Sequence, residues 1–375
     1  MTAQPPALSS SLRTVPAAPP AGAVAIGQRV QRALQRLVHR MSPPQFTLMG
    51  LVSDRWRADA LGTLVRLGVA DALGTSSRSS EELATELRLD SAALFRVLRA
   101  LAQDGLLDLD ARGRFSLTPV TAPLRRDHPN SMSNVVLELS APRNQRCWSL
   151  LPEAVRTGKT TWDKEFPNDM WAWLDAHPEE HTIFHGAMLE LTREGAPGYA
   201  RAFPFAKYGS VVDIGGGTGL LLANILAVHP GLSGVLMDNP TVLAQAPPVL
   251  DAYGVRNRVQ TVGADIFQDP PPADLGVYLV KNILHGASDE VLVPVLERWR
   301  KVMRADSRLV AIEIVVPEDG GPFLGFLDLQ MLLVAPGGRE RTRAEFETLF
   351  AAAGLALESV VPTASPFSMV VARPR

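Results

Sequence analysis

Val211-Val-Asp-Ile-Gly-Gly-Gly-Thr-Gly219 is the stretch on which the fold turns. An apolar run ends in Asp213, and Gly215, Gly217 and Gly219 then alternate ahead of a helix-like stretch, Leu220 to Val228. Strand, tight turn and helix N-terminus in that order let backbone N–H groups approach a ligand closely. The spacing is G-x-G-x-G, which differs from the G-x-G-x-x-G dinucleotide fingerprint. No Lys-Ser/Thr pair follows, as a phosphate-gripping loop would need.

Downstream of this turn the pattern alternates. Strands are expected at 210–215, 234–238, 258–263, 275–281, 308–315, 355–361 and 368–373, with helices at about 218–229, 289–303 and 343–353. That is an α/β, doubly wound, Rossmann-like domain, whose ligands sit at the carboxyl ends of the central strands. The polar residues fall where this rule puts them. Asp213 closes the first strand and Asp238 the second, where a carboxylate grips a ribose diol. Asp265 ends the third, placed to accept a hydrogen bond from an adenine amino group, with Ile266 and Phe267 as apolar contacts for the ring. Lys281 and His285 end the fourth, in Tyr278-Leu-Val-Lys-Asn-Ile-Leu-His285, and Glu313 lies at the fifth. Each acid alone reads as a solvated loop residue, but polar groups at five successive strand ends read as a site.

The 375 residues allow two domains with proper cores, and 46% hydrophobic with 20% charged residues is an ordinary globular balance. A net charge of −2 argues against a dedicated nucleic-acid binder. The single cysteine, Cys147, excludes an intrachain disulfide and a cysteine-rich metal site, so a reducing, cytoplasmic compartment is expected. No membrane span or secretory signal is read.

The first half divides further. Residues 1–23, rich in Ala, Pro and Ser, are expected to be a disordered tail. Residues 24–127 are expected to form a helical and winged-helix unit. From Val24 to Met41 the arginines at 29, 32, 36 and 40 share a helix face opposite Val30, Leu34, Leu37 and Val38. This reads as an amphipathic helix packing on this chain or a partner subunit, in preference to an Arg-rich transit peptide. Ser79-Ser-Glu-Glu82 is a capping box opening the helix Glu81–Leu87, a second helix runs from Ser91 to Gln103, and a hairpin turns at Ala111-Arg-Gly113. Between Arg78 and Asp127 there are eight Arg and eight Asp or Glu, which is poor for gripping phosphates. A scaffold or dimerisation unit is therefore the better reading than a DNA-binding regulator. Residues 128–208 are expected to be a helical connector holding Trp148, Trp162, Trp171 and Trp173, a core that doubles as flat apolar walls. Residues 209–375 form the α/β domain.

The Asp-led G-x-G-x-G turn resembles motif I of class I S-adenosylmethionine (SAM) methyltransferases. From about residue 45 onward the chain resembles SAM-dependent O-methyltransferases of the plant caffeate/flavonoid type and their bacterial natural-product relatives. The resemblance rests on Asp213-x-Gly-Gly-Gly-x-Gly219, Asp238-x-Pro240, Gly263-x-Asp265-x-Phe267, His285-x-x-Ser-Asp-Glu290, Asp328-x-x-Met-Leu332 and Pro336-Gly-Gly-x-Glu-Arg-Thr342. It implies SAM as cofactor, no metal, a homodimer, and a small hydroxylated acceptor, with neither nucleic acid nor membrane as partner. It implies His285 as general base flanked by Glu313 and Glu340. SAM contacts would come from Gly215, Gly217, Asp238, Asp265, Ile266, Phe267, Lys281 and Thr192, and acceptor contacts from Phe184, Met188 and Met331. A phenol with pKa near ~10 needs such a base at neutral pH, and imidazole near ~6.5 suits it. One departure stands out: the family has Asp-Trp after the histidine, and this chain has Gly286-Ala287. The alternatives are a SAM-bound enzyme that does not methylate and, further off, a winged-helix regulator that senses SAM.

Overall fold

Val211, Val212, Ile214, Leu236, Met237, Tyr278, Leu279, Val280 and Val310 are all fully buried, as strands covered on both faces must be. A computed structural model of the chain describes residues 21–317 and 324–375. They form two compact units, one of Gln28–Gln145 with Leu174–Leu191 and one of residues 21–27 with Arg146–Trp173 and Thr192–Arg375. The helical segment expected over 128–208 divides between the two.

In the first unit the capping box is present: the Glu82 N–H donates to Ser79 Oγ (3.3 Å), and the Ser79 N–H to Glu82 Oε2 (3.1 Å). It opens the helix Ser80–Leu87, and Ser91–Gln103 follows. The hairpin pairs β1 (Leu107–Leu109) with β2 (Phe115–Leu117), and Gly113 supplies the left-handed residue of its turn, at φ 74°. Leu83, Leu94, Leu98, Leu101 and Phe115 close the core beneath. The N-terminal helix runs from Ala21 to Met41. The tail expected over 1–23 lies outside the described residues as far as residue 20. Residues 21–23 are already helical, because Ala-Gly-Ala before Val24 holds no proline and two of the best helix formers.

The second unit carries a seven-stranded sheet, with β3 (Ser210–Ile214), β4 (Ser233–Asp238), β5 (Val259–Gly263), β6 (Val277–Lys281), β7 (Arg308–Glu313), β10 (Leu355–Pro362) and β11 (Ser368–Pro374). Its order is β10-β11-β7-β6-β3-β4-β5, parallel except at β11. The order reverses at β3 and β6, the switch point where such sheets bind ligands. The fifth strand was expected to reach 315 but ends at Glu313. Val315–Val316 (β8) leaves the sheet and pairs in parallel with Arg341–Thr342 (β9). That detour draws Glu340 and Glu313 together, since each directly or nearly precedes a strand of the pair.

Candidate active site

The glycine turn after β3 holds Gly215, Gly217 and Gly219 at φ 69°, 61° and 79°. A Cβ on Gly215 would lie 2.9 Å from Ile283 Cδ1 and 3.3 Å from Ile266 Cδ1, so this turn touches the loops after β6 and β5. A Cβ on Gly217 would meet nothing within 4 Å, so that face is open. The Gly217 N–H donates to Asp238 Oδ2 (2.8 Å) and the Asn239 N–H to Oδ1 (2.7 Å). Burial still raises the Asp238 carboxyl above its ordinary range. Asp213 is buried with no partner for Oδ2, and burial plus the neighbouring Asp238 push it up to about 7. Asp265 is exposed and accepts the Phe267 N–H at 2.9 Å, which orders its own turn, while Ile266 and Phe267 lean on the apolar core. An open glycine face, a part-buried carboxylate with lone pairs to spare, and two apolar side chains fit an adenosyl group. Thr192 is half-buried on the helix Pro178–Ala202.

Across the switch point β6 ends at Lys281, whose ammonium lies 4.9 Å over the Phe367 ring. Burial lowers its pKa to about 8 against the opposing pull of Glu313 and Asp213. Asn282 then takes φ 54°, and its Oδ1 is buried without a partner. Sequence reading did not single it out, although asparagine at a strand end is the residue type that tolerates this conformation. The next turn is held from inside. Glu313 is fully buried, and its Oε1 accepts the N–H groups of Ile283 (2.9 Å) and Leu284 (2.8 Å).

His285 Nδ1 bonds Glu340 Oε1 at 2.8 Å. The two glutamates therefore do different things: Glu340 touches the ring, and Glu313 holds the backbone that carries it. Burial alone would lower the His285 pKa, but Glu313 and Glu340 outweigh it and the value is raised. Burial raises Glu313 as well. Glu340 is fixed by its own N–H donating to Asp328 Oδ1 (2.8 Å).

The segment 336–342 clamps the histidine turn. The Arg339 N–H donates to the His285 carbonyl at 2.9 Å, and a Cβ on Gly337 would come within 2.5 Å of Ser288 Cβ. Buried Arg341 donates to the carbonyls of Leu284 (2.5 Å) and Ala287 (3.0 Å) and to Asp289 Oδ1 (2.6 Å). Its role was missed because its partners, two of them backbone carbonyls, lie more than 50 residues away.

Met331 packs with Trp148 and Trp173 against the buried Trp162 and Phe166. Trp162 is thus core, while the half-buried members can offer a surface. Phe184 and Met188 belong to the other unit, Phe184 lying edge-on to His185 with ring centres 5.6 Å apart. Among the described residues no helix is long and apolar enough to cross a membrane.

Residues 148–356 match the O-methyltransferase domain, and residues 49–126 match the O-methyltransferase dimerisation domain. The chain belongs to the O-methyltransferase family. It is 37% identical to phenazine O-methyltransferase PhzM of Lysobacter antibioticus, over 88% of this chain and 97% of that one. It is 35% identical to O-demethylpuromycin-O-methyltransferase of Streptomyces alboniger, over 88% and 89%. The solved structure of CalO1, a methyltransferase in calicheamicin biosynthesis in its SAH-bound form, superposes with a TM-score of 0.77. There the identity is 35%, over 88% of this chain and 98% of that one. The chain is a methyltransferase that uses SAM, built as a class I α/β domain behind a dimerisation domain.

Proposed function

We propose that the chain moves the methyl group of SAM to a phenolic or enolic hydroxyl of an aromatic, polyketide-like secondary metabolite, with His285 as general base. The observation that carries this reading is the 2.8 Å bond from His285 Nδ1 to Glu340. An ionised carboxylate only accepts, so Nδ1 is the donor and the lone pair of the neutral ring lies at Nε2, free to take the hydroxyl proton. Glu340 orients the ring and supports the imidazolium that forms. Glu313 fixes the turn. SAM, when bound, supplies a methyl group on a sulfonium that is already an excellent leaving group, so the protein's share is alignment and proton removal.

Gly215, Gly217, Asp238, Asp265, Ile266, Phe267, Lys281 and Thr192 would hold SAM. Met331 and the half-buried tryptophans beside it support a flat apolar acceptor, and the resemblance adds Phe184 and Met188. The dimerisation domain supports a homodimer. Methyl transfer to nitrogen is the second reading, because some relatives are named N-methyltransferases.

The test is mass spectrometry of protein incubated with SAM and a panel of phenols and aromatic amines. S-adenosylhomocysteine and a phenol heavier by one methylene support the proposal, and His285→Ala should lower that turnover by about 10²–10⁴ while SAM still binds. Methylation confined to amines would favour the second reading. Tight SAM binding with no methylated product would point to the non-methylating alternative that Gly286-Ala287 raises.

A further inference from the structure

His285, Glu313 and Glu340 each present a ligand atom such that all three lie within 4.8 Å of one another. Two independent features make this more than a catalytic cluster. Oε2 of Glu313 and Oε2 of Glu340 are both buried with no hydrogen-bond partner. An unpartnered buried carboxylate oxygen is costly, and a cation is the group that relieves two at once. The third donor is an imidazole nitrogen, which suits borderline transition ions better than magnesium or calcium.

We propose that this triad is also an inhibitory binding site for a divalent transition ion of the zinc class. Zinc bonds nitrogen and carboxylate oxygen at about 2.0–2.2 Å, so two ligands of one tetrahedral ion stand roughly 3.4 Å apart. The donors lie within 4.8 Å of one another, so metal binding has to draw them together by at most about 1.4 Å. Three protein ligands leave a fourth position open, as in zinc sites that bind an exchangeable group. The ion takes the Nδ1 lone pair, the ring proton moves from Nδ1 to Nε2, and the nitrogen that would accept the hydroxyl proton already carries one. Binding follows from the donor geometry alone; inhibition rests in addition on the general-base reading above.

Elsewhere His181 and His185 lie one helical turn apart, with ring centres 4.2 Å from each other. This pair is the natural competitor for added metal and serves as the internal control. The experiment titrates Co²⁺ into the full chain after chelator treatment and follows the visible ligand-field absorption, with Zn²⁺ as the displacing ion.

The expected result is one site per chain, lost in His285→Ala and weakened about tenfold or more in Glu340→Gln. It should be intact in the His181→Ala/His185→Ala double variant. Zn²⁺ should stop methyl transfer, and a chelator should restore it. A Co²⁺ spectrum that survives His285→Ala, or vanishes with the 181/185 pair, overturns the proposal. Failure of the base reading shows separately, as normal turnover by metal-free His285→Ala.

Discussion

Glu340 bonds the His285 ring at Nδ1, whereas Glu313 accepts two backbone N–H groups from the turn beneath it. Both carboxylates hold the imidazole pKa up, against the burial that would lower it. The sign follows directly. A base works in its neutral form, and a raised pKa keeps it protonated to higher pH. The acid limb of kcat should therefore lie above imidazole's usual value of about 6.5. Glu340→Gln keeps an oxygen for the Nδ1–H but removes the charge, so that limb should move to lower pH while the plateau falls about tenfold or more. A pH–rate profile checks this, and an unmoved limb would show that Glu340 does not act through His285. At this scale the sequence showed which residue types gather at the strand ends. It did not show which atom bonds which, because the Glu313 contacts are to backbone N–H groups that every residue but proline carries. The left-handed Asn282 escaped notice for a similar reason: its signal is one permissive residue type, not a pattern.

Strands buried on both faces write themselves as continuous apolar runs, which is why β3, β4, β6, β7 and β11 were legible to within two residues. The β8–β9 pair was not, since two residues per strand make no periodicity. Yet this pair and the 336–342 segment set where Glu340 stands relative to His285. Arg341 is the pin between them: its side chain is fully buried, and Asp289, which it meets, is 29% exposed. Arg341→Met should destabilise the chain by about 3 kcal/mol, since it leaves two turn carbonyls without their donor and Asp289 with Arg339 alone. It should also lower kcat more than it changes SAM affinity, because the carbonyls of Leu284 and Ala287 flank His285, the proposed base. A denaturant melt and a kcat against KM comparison measure the two effects. A kcat equal to the parent's would mean that the clamp does not position the base.

The whole chain carries a net charge of −2, so assembly is left to apolar surface more than to charge. That surface is concentrated early. Val30, Leu34, Leu37, Val38 and Met41 on the first helix, and Phe46, Met49, Val52 and Trp56 on the next, are each more than half exposed. The dimerisation domain begins at residue 49, so the exposed stripe runs up to and into it. Contiguous exposed apolar side chains of this extent mark an interface, and the amphipathic pattern of the first helix was readable from sequence, although the surface it covers was not. A second copy of the chain is the occupant that a dimerisation domain calls for. Removing residues 1–41 should weaken the homodimer by at least about tenfold, a loss near 1.4 kcal/mol. That is modest against the roughly 25 cal/mol per Å² that such side chains contribute when buried. Sedimentation equilibrium on the truncated and full chains measures this, with a thermal melt showing that the remainder folds. A truncated chain that dimerises as tightly as the full one would assign the first helix no part in assembly and would favour the Arg-rich targeting reading of the same residues.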